Sequence, residues 1–291
     1  MIDIPDYPRL PPALLEEVLE KLELTEPISV DLGGLGRVLR AFVFRVPLDN
    51  IRKRIWFAGD QTTPLPGGEP VDFFEHWLEH GTAGTCWPLH GGFTALLLSL
   101  GFPARRIAGA LLMGLSGMTD EFDFDTNHAS VIVRLDGTDY LTDCNIGLVE
   151  PLPLAPDEVT KAGWGIHEVE SRPFGDWVEV RFFPQTQRER RVVYRPGRAY
   201  DPVDHEFCLA EYERSKELSV FNESLFVCSR HPDRFVTLGR SNQIVIDGDG
   251  VVTKTPVTED ERKRSLIEDH GFSPEIVERI PPDVEGSLTI V

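Results

Sequence analysis

The feature that most limits how this chain can fold is the segment from His128 to Asp143. Two runs rich in β-branched and aromatic residues, His128-Ala-Ser-Val-Ile-Val-Arg-Leu135 and Thr138-Asp-Tyr-Leu-Thr-Asp143, flank Asp136-Gly137. That dipeptide favours the left-handed backbone of a two-residue hairpin turn. With such a turn Leu135 pairs with Thr138, and counting outward sets His128 opposite Asn145. Asp143 then stands two residues along the same strand, on the same face as Asn145. His128 and Asp143 become diagonal neighbours, about 7–8 Å apart at the backbone and within side-chain reach. A four-residue turn keeps this parity, whereas a three-residue turn breaks it. An imidazole beside a carboxylate is what a thiol needs to become a nucleophile: the ring takes the proton, and the carboxylate fixes the tautomer and steadies the imidazolium. On its own, a strand-end histidine and a turn-flanking aspartate need share no role.

A thiol in a fitting place lies upstream. In Gly84-Thr-Cys86-Trp-Pro88-Leu-His90 a helix is expected to begin, with Thr85 as N-cap and Pro88 in the first turn, where its missing N–H costs nothing. Leu89, Phe93, Leu96, Leu97 and Leu100 follow at helical spacing, and Gly101 reads as the stop. Cys86 therefore falls in the first turn, where unpaired N–H groups and the helix dipole favour an anion. A free cysteine is also often just a small buried residue. His90, four residues on, shares its helix face and is a rival base.

The rest of the chain reads as α+β in three parts: 1–102, mostly helical; 103–200, mostly strand; and 201–291, mixed. Helices are expected over residues 11–25, Asp31 to Phe44 (weakened by Gly33, Gly34 and Gly36), Pro70 to His80, Asp204 to Ser215 and Glu259 to His270. Further strands are expected over Arg106 to Gly114, Trp177 to Phe183, Arg190 to Tyr194, Leu225 to Ser229, Arg234 to Leu238, Gln243 to Ile246 and Val251 to Lys254. Ser116 to Asn127 reads as a loop. The 291 residues carry 48 acidic against 29 basic side chains, which argues against a nucleic-acid surface. No apolar run approaches the roughly 18 residues of a membrane helix, and no signal peptide is apparent. Four cysteines without a CxxC suggest neither disulfides nor zinc, so a cytoplasmic protein is expected. His76 and His80 could share a helix face, but no third metal ligand is in view. An arginine cluster from Arg188 to Arg198 could meet the phosphates of a coenzyme A thioester, although a solvated strand edge is the commoner explanation.

Taken together the motifs resemble the arylamine N-acetyltransferase family over nearly the whole chain. Pro47-Leu48-Asp49-Asn50 is similar to the family's "PFEN", and Thr82-Ala83-Gly84-Thr85-Cys86 followed by Leu100-Gly101-Phe102 to its "RGGxC" helix ending in "LGF". Asn127-His128-Ala129-Ser130-Val131 resembles its histidine strand, and Asp143-Cys144-Asn145-Ile146-Gly147…Pro151 its "DVGFG…P". Phe207-Cys208-Leu209-Ala210-Glu211-Tyr212 and Asn222-Glu223-Ser224-Leu225-Phe226 resemble its interdomain segment and the strand that follows. The resemblance implies a helical bundle, a β-barrel and an α/β lid, with a catalytic triad of Cys86, His128 and Asp143. It also implies that Trp87, Ile146 and Gly147 help form the substrate pocket. The departures are Thr82 for arginine, Ala83 for glycine, Asp49 and Pro88 for glutamates, His90 for asparagine, Asn145 for glycine and Ile146 for an aromatic residue. Losing Arg and Glu together reads as loss of a buried ion pair. His90 fits either the slot of the structural asparagine or the pocket wall.

The expected activity is transfer of an acyl group from acetyl-CoA or another acyl-CoA to a small amine through an acyl-cysteine, in a ping-pong cycle without a metal. The alternatives are an amide synthase moving a larger acyl chain, a thiol hydrolase or transglutaminase-like enzyme, and a binding protein that kept the scaffold. Oligomeric state is left open.

Overall fold

The computed structural model describes residues 5–112, 126–155, 157–174, 177–182, 190–194 and 202–285. Five helices occupy the first hundred: α1 (Pro12–Lys21), α2 (Leu32–Arg45), α3 (Ile51–Ala58), α4 (Pro70–His80) and α5 (Cys86–Ser99). The short strand β1 (Leu48–Asp49) interrupts them. The glycines at the front of α2 are not breakers. A Cβ on Gly34 would lie 1.9 Å from the Ser29 carbonyl oxygen, so glycine lets the preceding turn fold onto the helix. Asp31 then caps it, accepting from Gly34 N–H at 2.8 Å. α3 was not expected. It is eight residues long and its Asn50 N-cap makes no side-chain capping bond, so neither length nor capping announces it.

α5 is buried continuously from Trp87 to Leu98, as befits a helix apolar on every side. Phe73 of α4 rests on Gly92, where an added Cβ would be 2.5 Å from the ring. The stop at Gly101 is a Schellman motif: Gly101 has φ +89°, and Phe102 N–H bonds Leu97 O at 2.9 Å while Gly101 N–H bonds Leu98 O at 3.1 Å. Thr85 occupies the N-cap position but makes no side-chain capping bond, which corrects the expectation for it.

Strands β2 (Ala104–Leu112), β3 (His128–Leu135), β4 (Thr138–Leu141), β5 (Leu152–Pro153), β6 (Thr160–Ala162), β7 (Val169–Phe174), β8 (Trp177–Phe182) and β9 (Arg190–Tyr194) follow. They form one antiparallel sheet in the order β5-β4-β3-β2-β9-β8-β7-β6. The expected closed barrel is not found: among the described residues no ladder joins β5 to β6. Proline at 151 and 153 removes N–H groups such a ladder would need, and the two edges meet through the Thr160 hydroxyl and Pro153 O. β6 escaped the sequence reading because it is three residues long, and β7 because buried Ser171 interrupts its apolar alternation. The loop expected over Ser116–Asn127 lies outside the described residues except for its last two, and the cluster from Arg188 to Arg198 lies outside the described side chains.

α6 (His205–Leu218), capped by Asp204, leads to β10 (Val227–His231), β11 (Arg234–Leu238), β12 (Asn242–Asp247) and β13 (Val252–Pro256), then α7 (Glu259–Glu268) and α8 (Pro274–Glu278). This second sheet runs β1-β10-β11-β12-β13, so its first strand comes from the helical region. Phe226 and Cys228 at its start join the main core, while Leu225, Val227 and Leu238 pack with Leu266 and Phe272. Among the described residues no helix is long and apolar enough to cross a membrane.

Candidate active site

The hairpin forms as its turn dictates. Asp136 and Gly137 take φ of +48° and +85°, Leu135 pairs with Thr138, and the ladder runs to Ile132 and Leu141. Thr142 keeps step, its N–H and hydroxyl bonding Val131 O at 2.9 and 3.1 Å. The expected pairing of His128 with Asn145 does not form. Asp143 Oδ1 instead accepts from Asn145 N–H at 2.9 Å and Ile146 N–H at 3.2 Å, turning the chain out of the sheet. The carboxylate still faces β3: Oδ2 lies 2.7 Å from His128 Nε2 and accepts from the Ser130 hydroxyl at 3.0 Å. Ser130 was missed, although it stands two residues from His128 on the same strand face.

His128 and Asp143 are both fully buried. Burial works against charge on His128, but the Asp143 carboxylate and its hydrogen bond outweigh this, and with help from Cys86 the ring's pKa is held up at about 10. Burial likewise opposes ionisation of Asp143, yet the charge of His128 above all keeps it well below the usual carboxylate range. Among the described residues His128 Nδ1 has no hydrogen-bond partner of ordinary geometry. Cys86 acts on that ring by contact and by charge.

Cys86 is half-exposed, whereas the other three cysteines are buried. Its Sγ lies 3.9 Å from Asn127 O. Around it gather Trp56, Leu65, Trp87, Ala108, Ala129, Val203, Cys208 and Tyr212, an apolar cluster drawn from five elements and two loops. The loop entering α5 is clamped from behind. Asp49, fully buried, accepts from Ala83 N–H at 2.7 Å through Oδ2 and from Ile51 N–H at 2.9 Å through Oδ1. Burial pushes its pKa up to about 6, against those two bonds and the more distant Arg52.

α3 carries three consecutive cations with different fates. Arg52 is bidentate on Asp72 at 2.8 and 2.9 Å, and Arg54 pairs with Asp283. Lys53, only 2% exposed, bonds the Ser215 hydroxyl at 2.7 Å and lies over the Tyr212 ring. Burial draws its pKa down to about 8, offset in part by Cys86 and Glu213.

The pocket residues expected from the sequence fall in different places. Trp87 is buried with its ring 6.5 Å from Phe207. Ile146 belongs to the main core. Gly147 has φ +77°, and a Cβ there would be 2.8 Å from Arg230 Nε of β10. His90 is fully buried, with Nδ1 against Cys86 O at 2.8 Å and Nε2 accepting Cys144 N–H at 3.1 Å. Both ring nitrogens are thus engaged within the chain. His76 and His80 lie 5.9 Å apart, and among the described residues no group of three ligands suited to a metal is present.

A reachable thiol at a helix start beside a buried imidazole–carboxylate pair is equipped for acyl transfer through sulfur. A family model described as N-acetyltransferase matches residues 31–275, and the chain belongs to the arylamine N-acetyltransferase family; it is an acetyltransferase-type enzyme. The solved arylamine N-acetyltransferase of Mycobacterium smegmatis is similar over 93% of this chain and 99% of its own, with TM-score 0.78 at 16% identity. That of Mycobacterium marinum in complex with CoA is similar over 91% and 98%, with TM-score 0.75 at 15% identity. Proansamycin X synthase of Amycolatopsis mediterranei is 26% identical over 152 residues, 51% of this chain and 55% of that protein. The match spans about half the length of this curated relative.

Proposed function

We propose that Cys86 is the nucleophile of a ping-pong acyltransferase, with His128 as its base and Asp143 as the group orienting that base. The observation that carries this reading is the 2.7 Å contact between His128 Nε2 and Asp143 Oδ2, which leaves Nδ1 for the thiol. In the first half-reaction the Cys86 thiolate attacks the carbonyl carbon of an acyl thioester, most simply acetyl-CoA. Backbone N–H groups at the start of α5 hold the oxyanion, the carbon–sulfur bond of the thioester breaks, and the departing thiolate takes the proton from His128. In the second, an amine attacks the acyl-cysteine, His128 accepts its proton, and Cys86 leaves as thiolate. The Mycobacterium marinum relative's complex with CoA supports a CoA thioester as donor.

The division into 1–102, 103–200 and 201–291 suits this chemistry: a helical unit bears the nucleophile, the curled sheet its histidine and aspartate, and the second sheet with α7 and α8 serves as lid. Trp87, Ile146 and Gly147 remain our assignment for the pocket wall. Four free cysteines suit a reducing compartment such as the cytoplasm.

A second reading is favoured by one comparison. Proansamycin X synthase is a relative, and Ile146 replaces the aromatic residue of the family motif, which suits transfer of a bulkier acyl group to an amine. Intact-mass measurement after incubation with a series of acyl-CoA thioesters tests both. Wild type is expected to gain the mass of one acyl group and Cys86→Ala none. An equal adduct on Cys86→Ala removes the assignment, and a preference for long or aromatic acyl groups selects the second reading.

A further inference from the structure

The inference rests on the reading of Cys86, His128 and Asp143 just given and concerns the ring beside them. His90 lies one turn beyond Cys86 and touches three groups. Nδ1 is 2.8 Å from Cys86 O; Nε2 receives Cys144 N–H at 3.1 Å and stands 3.1 Å from Asp143 Oδ1. A carbonyl only accepts and a backbone N–H only donates. A neutral ring satisfies both in one way, with its proton on Nδ1 and its lone pair on Nε2. On His128 the nitrogen that faces a carboxylate oxygen, Nε2, must carry a proton. The two rings, 5.6 Å apart at 83°, therefore present unlike edges to one carboxylate: a donor at Oδ2 and a lone pair near Oδ1.

A lone pair so close to a carboxylate oxygen repels it, and Oδ1 is held there by the N–H groups of Asn145 and Ile146. The same gap is a ready place for one proton. We propose that His90 is an acid-sensitive positioning residue for Asp143: neutral, it braces the carboxylate against His128, and protonated at Nε2 it becomes a second donor competing for that carboxylate. The proton comes from solvent and ends between Nε2 and Oδ1, and the Cys144 N–H loses its acceptor. With Asp143 shared, the imidazolium of His128 is less well held, and so is the thiolate beside it.

The titratable and charged groups around the ring are Asp143 and Cys144 in the loop after β4, His128 on β3, Arg106 on β2 and Cys86 on its own helix. Burial first, then the charges of His128 and Arg106, keep His90 neutral near pH 7 against the pull of Asp143.

The test compares wild type with H90N, whose amide still offers a donor to Cys86 O but does not titrate. Carboxamidomethylation of Cys86 by iodoacetamide is followed by intact mass from about pH 5 to 8. On the acid side the wild-type rate is expected to fall with a slope steeper than one, losing up to about tenfold more per pH unit than H90N. Superimposable acid limbs overturn the proposal. The ring ¹⁵N shifts of wild-type His90 at neutral pH give a readout that needs no variant: the Nδ1–H tautomer is expected, and an Nε2–H or doubly protonated ring overturns the assignment. A wild-type Cys86 no more reactive than a free model thiol instead overturns the nucleophile reading.

Discussion

Asp49 and Asp143 stand at opposite ends of the same site, both without solvent contact, and their surroundings differ in kind. Asp143 lies between two imidazoles, with a hydroxyl and two backbone N–H groups on its oxygens. Asp49 has two backbone N–H groups and only a remote cation. Burial raises both pKa values, and the partners decide the outcome: Asp143 ends well below the usual carboxylate range, and Asp49 is pushed up to about 6. Their linkage to stability therefore has opposite signs. The contribution of Asp143 is present above its unfolded pKa and is lost as pH falls through its folded one. That of Asp49 is fullest below its unfolded pKa and is lost as pH rises from 3.8 to about 6. One carboxylate is held charged beside two imidazoles; the other is a clamp on the loop before Cys86 that folding would sooner leave neutral.

The largest effect expected from breaking this contrast is on rate. Asp143→Asn keeps the shape but supplies an amide where His128 needs a carboxylate, so the ring loses its preferred tautomer. In serine-protease triads the same exchange lowers kcat about 10⁴-fold, and a loss of that order in acyl-enzyme formation is expected here. Asp49→Asn, away from the imidazoles, should lower it by less than about tenfold. Rapid-quench mass spectrometry on the two variants checks this, and equal losses would remove the distinction.

Much of this contrast was hidden in the sequence, for definite reasons. Asp136-Gly137 fixes a turn, the turn fixes the register, and the register brings the Asp143 side chain to His128; each step uses local residues only. α5 was legible from its leucines and Gly101 for the same reason. The clamp at Asp49 leaves no such trace, because it binds the backbone N–H groups of Ala83 and Ile51, and backbone groups look alike in every sequence. α3 was missed because its cations are taken up by Asp72, Ser215 and Asp283, up to 229 positions away. His90 could be placed on the face of Cys86, but its tautomer depends on Cys144 N–H, which arrives only when Asp143 turns the chain out of the sheet. The open sheet edge turns on two prolines, Pro151 just before β5 and Pro153 within it.

A smaller effect is expected on stability. Between about pH 4 and 7 wild type should lose on the order of 3 kcal/mol of unfolding free energy relative to Asp49→Asn, about two pKa units at 1.36 kcal/mol each. Urea unfolding at intervals of pH measures the difference. A flat difference curve would mean that Asp49 is ionised as easily in the folded chain as in the unfolded one.

The smallest effect sharpens the comparison by testing the one cation that reaches Asp49. Arg52 is engaged bidentately by Asp72, and its charge opposes the rise in the Asp49 pKa from a distance. Arg52→Met should therefore move the midpoint of the wild-type-minus-Asp49→Asn curve, measured in that background, upward by about 0.3 pH unit, or roughly 0.4 kcal/mol. Arg52→Lys, which keeps the charge while losing the bidentate geometry, should leave the midpoint in place. Breaking the pair with Asp72, 39% exposed at its side chain, should lower overall stability by less than about 1 kcal/mol in both variants, so the two readouts separate. Were Arg52→Met to leave the midpoint unmoved, the shift at Asp49 would be burial alone. The two ends of the site would then differ in having charged partners or none, rather than in how near those partners stand.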